Sequence, residues 1–332
     1  VRAAVCPEHG PPEVVRVEEV ASPPLGPGQV RVRVGVAAVN FPDVLLVAGR
    51  YQITVPPPFV PGSELAGVVT EVADDVTGVA VGDRVTGTGM VGAFAEEAVV
   101  SAGAVRPVPP GVDDRRAAAF GVAHRTAYHV LRSVAALRPG DELIVLGAGG
   151  GVGLAAVQLG RVLGAGVTAV ASSAEKLAAA ASYGAGNLVD HRSGDLRQVL
   201  REVLPDGADV VIDPVGGDLA EPALRALHHG GRFVTVGYAS GVIPRIPLNL
   251  VLLKGVQILG FQFVDFATRA AAEAERNEGE LTELLASGRV APHIGATFPL
   301  DEAAAALRHV ADGRAVGKVV LDIAGERPAE PC

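Results

Sequence analysis

The run ELIVLGAGGGVG, residues 142–153, carries an apolar stretch directly into clustered glycines, and those open a helix-like pattern. At such a turn, unpaired backbone N–H groups and the positive end of a helix dipole converge, and both favour a phosphate. Gly147 permits the sharp turn, Gly150 and Gly151 leave room for a pyrophosphate, and Gly153 lets the helix pack closely on the strand. The candidate pyrophosphate contacts are therefore Gly149, Gly150, Gly151, Val152 and Gly153. The spacing is G-x-x-G-x-x-G, not strict G-x-G-x-x-G. Alone it would equally be a flexible turn; the flanking strand and helix patterns favour the dinucleotide reading.

A second apolar run ends at Ala171. Binders of unphosphorylated NAD usually place an acid there, about 20 residues past the glycines, to hold the ribose 2′-OH. This chain has Ser172, Ser173 and then Lys176. Hydroxyls and a cation suit a 2′-phosphate, which an acid would repel, so NADP(H) is the expected cofactor. The alternatives are that Ser172 caps the next helix and Lys176 is a solvated surface residue, with Glu175 near enough to permit dual use.

These residues need a scaffold. From residue 123 to 262, strand-like runs (Glu142–Leu146, Val167–Ala171, Val210–Ile212, Phe233–Val236) alternate with helix-length segments (150–163, 174–183, 219–227). Such alternation predicts a doubly wound parallel α/β sheet of Rossmann type. In the first helix, Val152, Ala156, Leu159 and Leu163 form the apolar stripe, with Gln158 and Arg161 opposite. Residues 1–122 read as β-rich, with short β-branched runs between glycines and prolines; Val30, Val32, Val34 and Val36 alternate with Arg31, Arg33 and Gly35 as a half-buried strand does. An Ala/Glu-rich helix is expected over about 267–286, a last strand over 318–323, and a frayed tail over 326–332.

Composition narrows the function classes. The 332-residue chain carries a net charge of −9, with lysine only at positions 176, 254 and 318, so no basic stripe is available to follow a nucleic-acid backbone. Cys6 and Cys332 stand at opposite ends, which excludes a disulfide framework and a multi-cysteine zinc module. No apolar run approaches the roughly 20 residues that span a bilayer, and the first residues lack a signal-peptide layout; a cytoplasmic protein is expected.

The segments VRVGVAAVNFPDVLLVAGRY (32–51), PFVPGSELAGVVTEV (58–72), TGVAVGDRV (77–85), GAFAEEAVV (92–100) and AGGGVG (148–153) resemble, in order, the zinc-independent, zeta-crystallin-like quinone oxidoreductases of the medium-chain dehydrogenase/reductase superfamily. The resemblance implies a GroES-like β-barrel catalytic domain, discontinuous over 1–122 and 263–325, around a Rossmann NADP(H)-binding domain at 123–262. It also implies a homodimer through the strand Val256–Phe261. Zinc-using relatives carry a cysteine at the place of Asn40 and Gly-His-Glu at the place of Gly62-Ser63-Glu64. Only Glu64 remains of that set, as a buried acid tying down its loop more than as a metal ligand, and no catalytic metal is expected.

The same resemblance places Asn40 and Tyr51 beside the nicotinamide as the catalytic residues, with Asn40 also a cofactor contact. An amide N–H and a phenol can hydrogen-bond a carbonyl oxygen that gains charge during hydride transfer. The competing roles are a turn residue for Asn40, a stacking wall for Tyr51 and a helix cap for Asp43. Leu46 replaces a tyrosine of some relatives. Further implied cofactor contacts are Thr126, His191, Gly237, Tyr238, Phe261, Gln262, Phe263, Arg314 and Lys318. Asp213, at the carboxyl edge of a strand, is either structural or near the ligand. His228 and His229, before a Gly-Gly turn, are expected on the surface. The expected activity is zinc-free transfer of hydride from NADPH to a quinone. The alternatives are reduction of a C=C bond conjugated to a carbonyl, or a crystallin-like NADPH binder without catalysis.

Overall fold

The computed structural model describes residues 1–325; the expected tail at 326–332 lies outside the described residues. The chain divides into two compact units, Val1–Val122 with the chain from Pro292 onward, and Ala123–Ala291. Among the described residues, no helix is long and apolar enough to cross a membrane.

The first unit is built on the strand Gln29–Val39, whose Val30, Val32 and Val34 point inward while Arg33 is exposed. Its period-two pattern buries one face first and both faces over its last four residues. It pairs antiparallel with Glu64–Val72, Glu97–Ser101 and Lys318–Asp322. The seven-stranded sheet runs Ile294–Pro299, Lys318–Asp322, Gln29–Val39, Glu64–Val72, Arg84–Thr88, Val105–Pro107, with Glu97–Ser101 pairing off this path to Gln29–Val39. The last two strands of the described chain therefore complete a sheet begun by the N-terminal segment. Register decides what meets at its end: Val319 lies opposite Val39 and Glu64 opposite Ala38. Continuing that register sets Lys318 against Asn40, with Glu64 on the other flank.

The second unit holds six parallel strands in the spatial order Asn187–Asp190, Gly166–Ala171, Glu142–Leu146, Ala208–Asp213, Leu227–Thr235, Gln257–Gly260. In chain order that is 3-2-1-4-5-6, the doubly wound arrangement whose ligand crevice lies where the order reverses, beside Glu142–Leu146. Leu143, Ile144, Val145 and Leu146 are all fully buried, as a central parallel strand covered on both faces requires.

Several expectations need correction. The chain returns to the first unit at Pro292, not at 263. The expected helix at 267–286 is two helices, Phe263–Arg269 and Ala271–Ala286, broken at Ala270. The second is tied into the cofactor unit. Arg125 donates to Glu278 at 2.6 Å, and Asn277 Nδ2 donates to Ser133 Oγ at 3.0 Å. Gln158 is not on a solvent face: it is buried, its amide donating to Ala291 O at 2.9 Å and accepting from Ala291 N at 3.0 Å. That helix, Gly151–Val162, is buried nearly all round, so a single-stripe reading fails. The helix Asp114–His129 occupies the end of the segment read as β-rich. His228 is only partly exposed, its Nε2 lying 2.7 Å from Asp209 Oδ1; that carboxylate raises the imidazole's pKa.

Candidate cofactor turn and polar network

In the second unit the turn after Leu146 has the form a phosphate needs. Gly147 adopts φ +60°, and Gly150 N–H donates to Gly147 O at 2.9 Å, closing the bend. Gly150 is the N-cap of Gly151–Val162 and offers no side chain to the first-turn N–H groups. A Cβ added at Gly150 would meet only Gly147 O, at 3.5 Å, so one side of the turn is open. A Cβ at Gly153 would lie 2.1 Å from Gly147 O, which is why helix and turn can touch only through glycine there. These residues, with half-buried Val152, fit a pyrophosphate by shape and by donor chemistry.

The next strand end gathers cations. Ser173, not Ser172, caps the helix Ala174–Ser182, its Oγ accepting from Lys176 N at 3.3 Å. Ser172 Oγ accepts from Lys176 Nζ at 3.4 Å, and the Lys176 stem lies over Gly149. His191 N–H donates to Ala171 O at 3.1 Å, placing its ring at the same corner. Burial, then the neighbouring Arg192, lowers the pKa of both Lys176 and His191. Arg192 was not singled out in the sequence; the adjacency of two bases in V-D-H-R was the available signal. A lysine buried beside another cation gains when an anion arrives.

Asp213 anchors the neighbouring loop: its Oδ1 accepts from Val215 N and Gly216 N, each at 2.8 Å, and its backbone carbonyl accepts from Gly237 N. Burial raises its pKa. Tyr238 is exposed, its hydroxyl 3.4 Å from Thr235 Oγ1. Thr126 is half-buried on the helix Asp114–His129. Phe261 and Phe263 pack against His129 of that helix, at ring separations of 6.4 and 5.5 Å, and Arg125 sits 4.9 Å over Phe263. Gln262 instead caps the helix Phe263–Arg269. Buried His129, held between Asn277 Nδ2 at 3.1 Å and Glu278 Oε1 at 3.2 Å, was missed in the sequence because its partners are 148 or more residues away.

In the first unit, Asn40 caps the helix Phe41–Val47, and its backbone N–H donates to Asp43 Oδ2 at 2.7 Å. Its Nδ2 donates to Glu64 Oε2 at 3.1 Å and reaches Ser63 Oγ and Ala38 O only at 3.4 and 3.5 Å. Lys318 Nζ donates to Asn40 Oδ1 and, at 3.1 Å, to Glu64 Oε2. Val122 N–H donates to Glu64 Oε1 at 2.7 Å. Glu64 is 0% exposed and Lys318 4%, so the pair forms a buried ion pair inside a hydrogen-bonded set. Lys318, expected among the cofactor contacts, is turned to Asn40 and Glu64. Arg314 is exposed and pairs with Asp312 at 3.4 Å. Leu46 belongs to the apolar core of this unit. Tyr51 is half-buried, and burial followed by the charge of Asp43 raises its pKa.

Asp43 is fully buried, and desolvation pushes its carboxyl up to about 7. A carboxyl whose folded pKa exceeds its unfolded value stabilises the fold below about pH 4 and loses that contribution as pH rises through about 7. Asp43→Asn mimics the neutral acid. It is expected to lower the loss of Tm between pH 5 and 8, and melts of the two proteins that stay parallel across that range would contradict the assignment.

Zinc needs thiolate, imidazole or carboxylate donors, usually three from the protein at a catalytic site. Asn40, Ser63 and Glu64 supply an amide, a hydroxyl and one carboxylate already paired with Lys318. Among the described residues, no three His, Cys, Asp or Glu gather as a metal would require. This donor set does not fit the metal.

Comparison with known proteins follows the same division. Residues 26–110 match the alcohol dehydrogenase GroES-like domain, and residues 151–277 match a domain described as zinc-binding dehydrogenase. The chain is 37% identical to quinone oxidoreductase-like protein 2 of Bos taurus, over 97% of this chain and 92% of that one. It is 39% identical to the spectinabilin polyketide synthase system protein NorB of Streptomyces orinoci, over 91% of this chain but 13% of that one. It superposes on the crystal structure of Escherichia coli quinone oxidoreductase complexed with NADPH with a TM-score of 0.90, at 27% identity, covering 97% of this chain and 100% of the other.

Proposed function

The chain belongs to the quinone oxidoreductase branch of the medium-chain dehydrogenase/reductase superfamily, and we propose that within it the protein is a zinc-free NADPH:quinone oxidoreductase of the cytoplasm. It is an oxidoreductase, and its cofactor is NADP(H). The observation that carries the cofactor assignment is the corner of Ser172, Lys176, His191 and Arg192, which offers cations and a hydroxyl where the second strand ends in Ser172 and not in an acid, with Glu175 and Asp190 lying nearby.

The bound cofactor supplies the hydride from its nicotinamide. The chain's own residues do the rest. Backbone N–H groups of Gly151, Val152 and Gly153 would hold the pyrophosphate, with Gly149 and Gly150 leaving room for it, and Lys176 and Arg192 would hold the 2′-phosphate. Thr126, Gly237, Tyr238, Phe261 and Phe263 line the nicotinamide end. Tyr51 and Asn40 hydrogen-bond the acceptor oxygen as it gains negative charge. Because burial and Asp43 raise its pKa, Tyr51 stays protonated and serves as a hydrogen-bond donor; its proton is released with difficulty.

The test is NADPH oxidation, followed by absorbance, against a panel of quinones and enones. Rapid turnover with quinones supports the reading. Faster turnover with enones would replace it with the second reading, reduction of a C=C bond conjugated to a carbonyl, which the similarity to part of a polyketide synthase system protein supports. NADPH binding without reduction of any acceptor would remove both.

A homodimer is part of the same proposal. Among the described residues, the strand Gln257–Gly260 is an unpaired sheet edge, with Ile258 exposed. The adjoining helix Leu248–Lys254 leaves Leu248, Leu252 and Leu253 at least 75% exposed. An open edge is a ready template for pairing with another chain, and an exposed apolar patch beside it marks an interaction surface. A monomeric mass by analytical ultracentrifugation would withdraw this part.

A further inference from the structure

The hydrogen bonds around Asn40 leave its amide one orientation. An ammonium has only donors, so Lys318 Nζ can face only the amide oxygen; a carboxylate has only acceptors, so Glu64 Oε2 can face only the amide nitrogen. A flipped amide would set donor against donor and acceptor against acceptor in a buried site, where unmade bonds are costly. One Nδ2 hydrogen is thus taken by Glu64. Among the described residues, the other makes only the long contacts to Ser63 Oγ and Ala38 O, at 3.4 and 3.5 Å. A better acceptor would displace both contacts, since hydrogen bonds weaken at such lengths.

Resting on the proposed hydride transfer to a carbonyl-type acceptor, we infer that Lys318, together with Glu64, is a positioning residue: it fixes and polarises the Asn40 amide so that its second N–H is presented to the acceptor oxygen. The ammonium draws density from the amide oxygen, and the amide in turn becomes a stronger donor at nitrogen; hydrogen bonds in such chains strengthen one another. The sheet supplies the geometry. Lys318 opens the strand Lys318–Asp322 and Asn40 directly follows Gln29–Val39, and these two strands are neighbours in register. A charge from the C-terminal segment thereby sets the orientation of a group in the N-terminal segment. Lys318 touches neither substrate nor cofactor in this role.

The test compares Lys318→Met, Lys318→Arg, Asn40→Ala and the charge-free double variant Lys318→Met/Glu64→Gln, which leaves no unpaired buried charge if the single variant fails to fold. Loss of one oxyanion donor costs about 100-fold or more in kcat, so loss of its positioning is expected to cost on the order of tenfold. KM for the quinone and Kd for NADPH should stay near wild type, Lys318→Arg should restore most of kcat, and Lys318→Met should add little in the Asn40→Ala background, because the two act as one unit. Weakened NADPH binding with kcat retained would make Lys318 a cofactor ligand and overturn the inference, as would fully multiplicative effects of the two substitutions. If the wild type reduces no acceptor, the functional reading fails separately. The Asn40 side-chain amide resonances in 1H–15N spectra still decide the positioning: they should move in the double variant, and unchanged resonances would overturn it.

Discussion

Gly153→Val is expected to weaken NADPH binding by on the order of a hundredfold. A Cβ at this position would lie 2.1 Å from Gly147 O and 2.7 Å from its carbonyl carbon, so the obstruction is backbone and cannot rotate aside. Either the helix Gly151–Val162 moves away from the strand Glu142–Leu146, or the turn opens. Both outcomes remove the convergence of N–H groups on which phosphate binding depends. Overpacking alone typically costs about 1–3 kcal/mol, and a clash with backbone belongs at or above the upper end, on the order of a hundredfold in Kd. Gly153→Ala already carries the offending carbon and should share most of the loss, with valine adding crowding. Fluorescence titration with NADPH, alongside circular dichroism to check the fold, measures it. Wild-type affinity in Gly153→Ala would mean that the turn is not the phosphate site.

Lys176→Glu should reverse the cofactor preference. The substitution puts an acid within reach of Ser172, the arrangement that suits a free 2′-hydroxyl and repels a 2′-phosphate. A hydrogen bond to a charged group is worth roughly 1.5–3 kcal/mol, and replacing attraction by repulsion adds to that loss. NADPH affinity should therefore fall by on the order of a hundredfold while NADH affinity changes little. The Lys176 stem also covers Gly149, so Lys176→Met serves as the control: it keeps the stem and loses only the charge. An intermediate loss for NADPH in that variant separates charge from packing. Equal dissociation constants for NADPH and NADH in the wild type would defeat the 2′-phosphate assignment at its root.

Features governed by neighbours in the chain could be read without a structure. The glycine turn is one: strand, bend and helix follow one another within residues 142–162, and each glycine answers a local need. The alternation of Val30, Val32 and Val34 is another, since side-chain period two depends on backbone geometry alone. The misreadings came where distant partners override local pattern. Gln158 looks like a surface residue on a helix wheel, but its amide satisfies both backbone groups of Ala291 and is buried for that reason. The Ala/Glu-rich segment reads as one helix leading into the C-terminal part, yet it is broken at Ala270, and ion pairs from Arg125 and Arg132 to Glu278 and Glu280 attach Ala271–Ala286 to the second unit.

What the sequence by itself determined is the cofactor class, from a glycine turn between strand and helix and a strand end at Ser172 without an acid; the amide and phenol around residues 40–51 came as what the family resemblance implies. What only the tertiary structure decided is how those groups are held. Sheet register brings Lys318 across 278 residues of chain to Asn40 and across 254 to Glu64. No spacing in the chain encodes that meeting, because it depends on strand pairing between the first and last segments of the described chain. Burial then does what composition could not foretell: it makes Lys318, expected as a cofactor contact, one half of an enclosed ion pair and lifts the Asp43 carboxyl to about 7. Local sequence names the functional groups, whereas long-range pairing and desolvation set their orientation and charge.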